Sequence, residues 1–319
     1  MNVLILSAAA KVQLVRAFAE AAHARGGRVF AADLAADNAA LFEADAAVLL
    51  PRSDDPRFLD ALAGCCADHA VRLVVPTRDA ELAVLAGAKA RFAALGVTAP
   101  VPDAEALDLC QDKRRFTAFC AARGLGTPHT YGPREAPGSF PVFVRPVRGA
   151  GGKGARRVET TADLPDDDDL LVQALETAPE YTIDVLMDLT GRPLQGVARR
   201  RLVVRDGEAV KSRVEDLPAM VDQALALCAA LGLVGHNVVQ AFHTPQDGAR
   251  FIEVNPRFGG ASNLSFRAGL ASPERIMQMV EGSHAAAATP RTITYGLTML
   301  RYGEDRFVTD AELAAVVGR

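Results

Sequence analysis

The chain has 319 residues, of which half are hydrophobic and 23% are charged, and its formal net charge is -4 at pH 7. This composition is typical of a soluble globular protein with more than one packed unit. The mild negative charge does not indicate a surface that binds nucleic acid. No apolar run approaches the roughly 20 residues that cross a bilayer, so neither nucleic acid nor a membrane is an expected partner.

The N-terminus and the cysteines both indicate a cytoplasmic protein. The apolar N-terminus lacks a basic segment and is interrupted at Lys11, so a buried strand and a helix explain it better than a signal peptide. The five cysteines show no metal-binding spacing, and their number is odd for a disulfide framework. We therefore expect buried, reduced thiols.

The first third of the chain alternates short apolar runs with helical patterns. The runs predict strands at Val3–Leu6, Val29–Ala32, Ala46–Leu50 and Arg72–Val75, and the helical patterns cover Val12–Ala24 and Pro56–His69. Such alternation predicts a mostly parallel sheet with helices on both faces. This unit extends to about residue 105.

The turn after the first strand argues against a dinucleotide site. A pyrophosphate requires glycines there, and residues 7–10 include none. Asp33 is then a strand-end polar group or a substrate contact rather than a ribose ligand. Asp79 and Glu81 follow the fourth strand, where ligands enter open α/β sheets, so both are candidates to contact an amine.

A helical, charged stretch from Asp103 to Gly124 leads to an apolar strand that ends at Arg145. Four glycines then surround Lys153, at positions 149, 151, 152 and 154. Such a loop can turn its backbone amides toward an anion. The P-loop spacing is absent, and an ordinary flexible hairpin is the alternative.

Three consecutive arginines lie on a later predicted strand. Arg199 and Arg201 share one face, and Arg200 points to the other. One face would meet a substrate carboxylate, unless all three are surface residues. The dipeptide Asp206–Gly207 then predicts a turn.

An acid, an amide and an arginine alternate near the C-terminus. Glu253 and Asn255 share one face of a predicted strand, and Arg257 follows. A hairpin turn at residues 245–248 would bring Gln240 beside Glu253. Carboxylate and amide oxygens suit Mg²⁺, and a guanidinium there would stabilise a transferring phosphoryl group. The alternative is a pair of amphipathic strands with solvent-facing polar residues.

In this order the segments resemble the ATP-grasp superfamily, and within it the ATP-binding halves of the carbamoyl-phosphate synthase large chain. The resemblance covers nearly the whole chain, and its specific part is FIEVNPR together with the glycine loop. It implies an ATP-grasp fold of α/β and α+β class. A Rossmann-like pre-ATP-grasp domain would cover residues 1–105 and an ATP-grasp domain residues 106–319. The latter would comprise a small glycine-loop subdomain at about 125–175 and a metal and catalytic subdomain at about 176–319.

The resemblance also implies a nucleotide site. Lys113 and Arg145 match the two basic positions that reach the phosphates, and the loop carrying Gly151, Gly152 and Lys153 would close over them. The hinge whose backbone contacts adenine matches Gln173, Ala174 and Leu175, and the ribose acid matches Glu180. Two departures are Gln173, where an acid is more usual, and the missing glycine before Glu180.

Gln240, Glu253 and Asn255 match the metal-binding set, for Mg²⁺ with Mn²⁺ able to replace it, and Arg257 matches the catalytic arginine. Lys113 and Arg145 would assist it. The implied enzyme is an ADP-forming carbon–nitrogen ligase that activates a small carboxylate as an acyl phosphate for attack by an amine. The alternatives are an ATP-binding regulator or sensor without ligase activity and a carbamoyl-phosphate-synthase-like phosphorylation. A homodimer is an expectation of the resemblance alone.

Overall fold

The structure, a computed structural model, describes residues 1–132, 135–149 and 151–316. Within these ranges the strands are β1 (Asn2–Ile5), β2 (Val29–Asp33), β3 (Ala46–Leu49), β4 (Val71–Val75), β5 (Val142–Pro146), β6 (Arg156–Val158), β7 (Leu170–Ala174), β8 (Glu180–Met187), β9 (Pro193–Arg205), β10 (Glu208–Glu215), β11 (His236–Thr244), β12 (Gly248–Asn255) and β13 (Thr298–Leu300). The α-helices are α1 (Val12–His23), α2 (Phe58–Asp68), α3 (Asp79–Ala94), α4 (Ala104–Gln111), α5 (Lys113–Ala121), α6 (Pro218–Ala230), α7 (Ser262–Ser265), α8 (Ser272–Val280), α9 (His284–Ala288) and α10 (Asp310–Val316). None of the described helices combines the length and apolarity that a membrane crossing requires.

The N-terminal strands form a parallel sheet in the order β3-β2-β1-β4. Ile5 of β1 belongs to a core with Phe18 of α1, whereas Leu4 belongs to a second core with Leu62 of α2 and Phe92 of α3. Alternate residues of β1 thus face separate cores, which explains why the strand is apolar throughout. The predicted sheet is confirmed, with element boundaries one or two residues from those predicted.

The stretch predicted as helical from Asp103 to Gly124 is two helices rather than one. Asp112 separates α4 from α5 because its backbone leaves helical geometry, with φ -104 and ψ 103. Its carboxylate accepts hydrogen bonds from the amides of Arg114 and Arg115, which caps α5. Lys113 is therefore the first residue of a capped helix, and its amide donates to the carbonyl of Val147.

The second half of the chain contains two antiparallel sheets. The larger has the order β12-β11-β8-β9-β10-β13, and the smaller has the order β6-β5-β7. Ile183 and Val185 of β8 share a core with Phe116 of α5 and Leu227 of α6. The alternate residues of β8 point to the opposite face. Helices α5 and α6 therefore pack on one face of the larger sheet, and part of the opposite face borders a cavity.

The N-terminal sheet and the larger antiparallel sheet share a core. The rings of Phe18 and Phe258 meet edge to face, with centroids 5.6 Å apart. The domain boundary near residue 105 stays a prediction. The five cysteines are free and buried, as predicted, and burial raises the pKa of Cys65 to about 11.

Candidate active site

A cavity of about 580 Å³ lies between the smaller and the larger antiparallel sheets. On one side it is lined by Phe143 and Arg145 of β5 and by Gln173 of β7. Its floor is part of the face of the larger sheet opposite α5 and α6. Most of the predicted site residues line this cavity, namely Lys113, Arg145, Gly151, Gly152, Lys153, Gln173, Ala174, Leu175, Glu180, Arg199, Arg201, Gln240, Glu253, Asn255 and Arg257.

Four polar side chains form one row across the cavity floor. Arg199 on β9 pairs with Thr182 on β8, Thr182 pairs with Gln240 on β11, and Gln240 pairs with Glu253 on β12. Directly opposed residues in a sheet point to the same face. The register confirms the predicted hairpin that places Gln240 beside Glu253. It also confirms that Arg199 and Arg201 share the cavity face.

Glu253 is fixed by two amide side chains. Its Oε1 accepts hydrogen bonds from Gln240 Nε2 over 2.8 Å and from Asn255 Nδ2 over 3.1 Å. Its Oε2 faces Arg145 Nη1 at 4.0 Å. Gln240 Oε1 in turn accepts from Arg201 Nη1 over 2.9 Å. Oε1 of Glu253 is thus hydrogen-bonded within the protein, and Oε2 points toward the buried guanidinium of Arg145.

The two predicted phosphate-binding cations are both buried near Glu253. Lys113 Nζ donates to the carbonyl of Gly149 over 2.7 Å. Burial lowers the pKa of the Lys113 ammonium, an effect that Glu253 opposes. Arg145 is 6% exposed and donates through Nη2 to the carbonyl of Ile252 over 3.2 Å. These cations suit a polyanionic ligand that enters beside them.

The glycine loop meets the turn between β9 and β10. Gly151 and Gly152 have φ of 71° and 69°, which side chains rarely adopt. A Cβ on Gly207 would lie 3.0 Å from the carbonyl oxygen of Gly151. Arg201 Nη2 donates to the carbonyl of Gly207 over 2.8 Å. The loop and the turn therefore pack backbone to backbone over the cavity. Ala150, within the predicted loop, lies outside the described residues.

The predicted adenine hinge consists of the last two residues of β7, Gln173 and Ala174, and the following Leu175. Gln173 Nε2 donates to Thr130 Oγ1 over 2.8 Å, and the amide of Ala174 donates to the carbonyl of His129 over 2.9 Å. Because the Ala174 amide is taken, an amide contact with a base would come from a neighbouring hinge residue such as Leu175. Burial raises the pKa of the predicted ribose acid Glu180, and Arg201, whose Nη1 lies 3.3 Å away, opposes the rise.

The two acids predicted from the N-terminal sheet lie in different places. Asp79 Oδ1 accepts from Arg257 Nε over 2.7 Å. Glu81 is buried and is absent from the cavity lining, since its carboxylate accepts from Ser7 Oγ and from the amide of Thr77, the latter over 2.9 Å. Asp79 is likewise absent from the cavity lining, and contact of either acid with an amine stays a prediction. Asp33 Oδ2 accepts from the amide of Ala9 over 2.8 Å, so it acts as a strand-end polar group.

Sequence reasoning missed a buried acid beside the cavity. Asp184 is fully buried on β8, and its carboxylate contacts Arg199, His236, Ser262 and Ser265. The available signal was the period of two in residues 180–184, where Glu180, Thr182 and Asp184 alternate with apolar residues.

Two family models match the chain. Residues 3–100 match the PylC-like N-terminal domain, and residues 166–301 match the family described as ATP-grasp in the biosynthetic pathway with Ter operon. Residues 166–301 thus match an ATP-grasp domain, and residues 3–100 match the N-terminal domain of PylC-like proteins. The narrower resemblance to the carbamoyl-phosphate synthase branch stays a prediction.

Solved structures share this ATP-grasp fold. Biotin carboxylase from Campylobacter jejuni matches with a TM-score of 0.68 at 17% identity, over 88% of this chain and 71% of that chain. The L-amino acid ligase from Bacillus licheniformis matches with a TM-score of 0.67 at 18% identity, over 91% and 77% of the two chains. N5-carboxyaminoimidazole ribonucleotide synthetase, in its ADP complex, matches with a TM-score of 0.68 at 16% identity, over 93% and 80%. The predicted fold class is confirmed.

Curated relatives match shorter stretches. A D-alanine–D-alanine ligase of Alcanivorax borkumensis is 36% identical over 87 residues, which are 24% of this chain and 28% of that protein. The mitochondrial acetyl-CoA carboxylase of Saccharomyces cerevisiae is 25% identical over 137 residues, which are 37% of this chain and 6% of that protein. The chain therefore aligns with less than a third of either relative.

The donor set of the site fits a hard cation held partly by nucleotide phosphates. Among the described residues, no group of three or more His, Cys, Asp or Glu side chains could hold a metal. Glu253 supplies one carboxylate, and Asn255 supplies an amide oxygen that accepts from Arg257 Nη2 over 3.4 Å. Mg²⁺ characteristically binds through one or two protein groups plus phosphates and water. The oxygen of Gln240 is occupied by Arg201, so its predicted ligand role would require Arg201 to give way.

Proposed function

We propose that this protein is an ADP-forming ligase that activates a small carboxylate with ATP and joins it to an amine. The observation that carries the proposal is the placement of Glu253. This acid is held by two amides and faces Arg145 across the same cavity that Lys113 and the glycine loop line. An acid that would hold a cation thus lies among the cations that would hold phosphates. The match of residues 166–301 to an ATP-grasp family model supports this assignment.

The nucleotide would extend along the cavity from the hinge to Glu253. Leu175 and the neighbouring hinge backbone would contact adenine, and Phe143 and Phe242 supply apolar cavity walls for it. Glu180 would hold the ribose. Lys113 and Arg145 would contact the phosphates, and Gly151, Gly152 and Lys153 would cover them.

Glu253 and Asn255 would hold Mg²⁺, or Mn²⁺ in its place, and Gln240 would orient Glu253. The metal would supply charge neutralisation at the phosphates when bound. Arg257 would stabilise negative charge on the transferring phosphoryl group. Its own orientation is fixed by Asp79.

The proposed reaction has two steps. A carboxylate oxygen of the substrate attacks the γ-phosphorus of ATP, the bond to the bridging oxygen breaks, and ADP leaves with that electron pair. The nitrogen of an amine then attacks the acyl carbon, inorganic phosphate leaves, and the nitrogen loses a proton. Positioning and charge neutralisation would account for most of the acceleration, because the protein forms no covalent bond. Arg199, Arg201 and Asp79 are the candidates to contact the two acceptors.

The test is calorimetric binding of the non-hydrolysable analogue AMP-PNP with Mg²⁺, followed by a screen of acid and amine pairs for ADP release. Glu253→Ala should weaken the metal-dependent binding and abolish ADP release. Glu105→Ala, an exposed acid on α4, is the matched control and should behave like the wild type. Binding of AMP-PNP that is indifferent to both Mg²⁺ and Glu253 would contradict the proposal.

A further inference from the structure

Arg199 is a buried cation whose hydrogen-bonding capacity is largely unused. It is 2% exposed, lies in the middle of β9 and lines the cavity. Its Nε donates to Asp184 Oδ2, and its Nη1 is buried with no hydrogen-bond partner among the described residues. A guanidinium has five N–H donors in a planar fork, and leaving such donors unpaired in the interior is costly.

The single contact arises because Asp184 is already saturated. Asp184 Oδ1 accepts from Ser262 Oγ over 2.7 Å and from His236 Nε2 over 3.1 Å. Asp184 Oδ2 accepts from Ser265 Oγ as well as from Arg199. A two-point pair with Arg199 would need an oxygen that these donors occupy. The carboxylate therefore fixes the direction of the guanidinium and leaves its outer edge free.

The position of Arg199 distinguishes it from other arginines with unpaired donors. Arg275 also has a buried, unpartnered Nη2, but it does not line the cavity. Arg201 lines the cavity, but its Nη1 and Nη2 donate to Gln240 and Gly207. Only Arg199, among these described arginines, combines an open terminal nitrogen with a place in the cavity wall. It lies beside Thr182, in the row that leads to Glu253.

We propose that Arg199 binds a carboxylate group of the acceptor substrate through its free guanidinium edge, and that Asp184 is the residue that positions it. This inference rests on the proposed ligase function and names how one substrate is recognised. A planar carboxylate matches the fork with two parallel hydrogen bonds. A phosphate would find more positive charge beside Lys113 and Arg145.

The experiment is calorimetric titration of the protein, saturated with Mg²⁺ and AMP-PNP, with acetate, succinate, glycine, glutamate and inorganic phosphate. We expect at least one carboxylate to bind the wild type. R199Q should weaken that binding by about 100-fold, and R199K, which keeps the charge but loses the fork, by about tenfold. R200Q is the matched control, since Arg200 lies on the same strand and faces away from the cavity.

Asp184→Asn tests the positioning role, because it keeps the volume and removes the charge. It should weaken carboxylate binding at least tenfold and leave AMP-PNP affinity unchanged, a split that general loss of structure would not produce. If R199Q fails to fold, the carboxylate affinity of R199K alone tests whether Arg199 binds the carboxylate.

Three results would overturn the inference. One is that no carboxylate binds the wild type, and another is that R199K and R199Q bind it as the wild type does. The third is that phosphate alone binds and is lost in R199Q, which would assign the fork to a phosphoryl group. Failure of the ligase proposal itself would appear separately, as AMP-PNP binding without dependence on Glu253.

Discussion

The guanidinium of Arg257 lies 2.7 Å from the carboxylate of Asp79, although 178 positions separate the two residues in the chain. Asp79 is the first residue of α3, beside the N-terminal sheet, and Arg257 follows β12 of the ATP-grasp domain. The proposed catalytic arginine is therefore oriented by an acid from the other end of the chain. This pairing explains how the N-terminal domain would contribute to chemistry that the ATP-grasp domain carries.

Asp79→Asn should lower the rate of ADP release about tenfold, because Arg257 loses the charge that orients it. Binding of AMP-PNP should change by less than about twofold, since Asp79 would not contact the nucleotide. Steady-state kinetics and calorimetry on the same preparations separate the two effects. Asp103→Asn, an exposed acid paired with Lys89, is the control. Equal losses of rate and nucleotide affinity would contradict the proposal that Asp79 acts on Arg257 and not on nucleotide binding.

Arg257→Gln should be more severe, with a loss in turnover on the order of 10²–10³-fold, by analogy with lost oxyanion donors. The substitution removes the charge that would stabilise the transferring phosphoryl group. Calorimetry should still detect AMP-PNP binding. A variant with wild-type turnover would exclude Arg257 from the reaction.

The packing of Gly207 against Gly151 predicts that Gly207→Ala impairs closure over the nucleotide. The new Cβ would meet the Gly151 carbonyl oxygen at 3.0 Å, in addition to the strain of a positive φ. Gly248→Ala is a matched control, because Gly248 has φ of 71° and an open space around its Cβ position. Both variants should lose about 1 kcal/mol of folding stability. Only Gly207→Ala should also weaken AMP-PNP binding, by about tenfold. Equal AMP-PNP affinities in Gly207→Ala and Gly248→Ala would contradict a role for the Gly207–Gly151 contact in nucleotide binding.

Because Lys113 is buried, we predict that the affinity for nucleotide falls as the pH rises. Burial lowers the pKa of its ammonium, so the free protein loses this charge at a lower pH than an exposed lysine would. Affinity for AMP-PNP should be full below that pKa and should fall as the pH rises through it. Lys113→Arg, which stays charged, should flatten the fall at pH values below the ordinary lysine pKa of 10.5. Lys89→Arg should keep the wild-type profile, and a Lys113→Arg profile that matches it would count against the assignment.

Local patterns were sufficient for much of the fold and part of the site. Continuous apolar runs such as residues 29–32 are what a parallel strand buried on both faces requires. Counting residues across the turn at 245–248 was enough to place Gln240 beside Glu253. The break at Asp112 was missed, although an acid just before a helix is a recognised capping signal.

Contacts between distant segments could not be read from the sequence. The burial of Arg199 depends on Asp184, which in turn depends on Ser262 and Ser265 from a helix about 80 positions away. Glu81 lies outside the cavity, where its carboxylate accepts a hydrogen bond from Ser7, 74 positions earlier in the chain. Such pairings arise from tertiary packing that no local pattern encodes. The cytoplasmic location and the homodimer stay predictions.

The most direct test is to titrate AMP-PNP into the wild type and into Glu253→Ala, each with Mg²⁺ and with EDTA. It tests whether Glu253 holds the metal that accompanies the nucleotide. We predict that the wild type binds AMP-PNP at least tenfold more tightly with Mg²⁺ than with EDTA, and that Glu253→Ala removes this difference. Equal affinity of the wild type under the two conditions, or a metal effect that persists in Glu253→Ala, would contradict the proposed site.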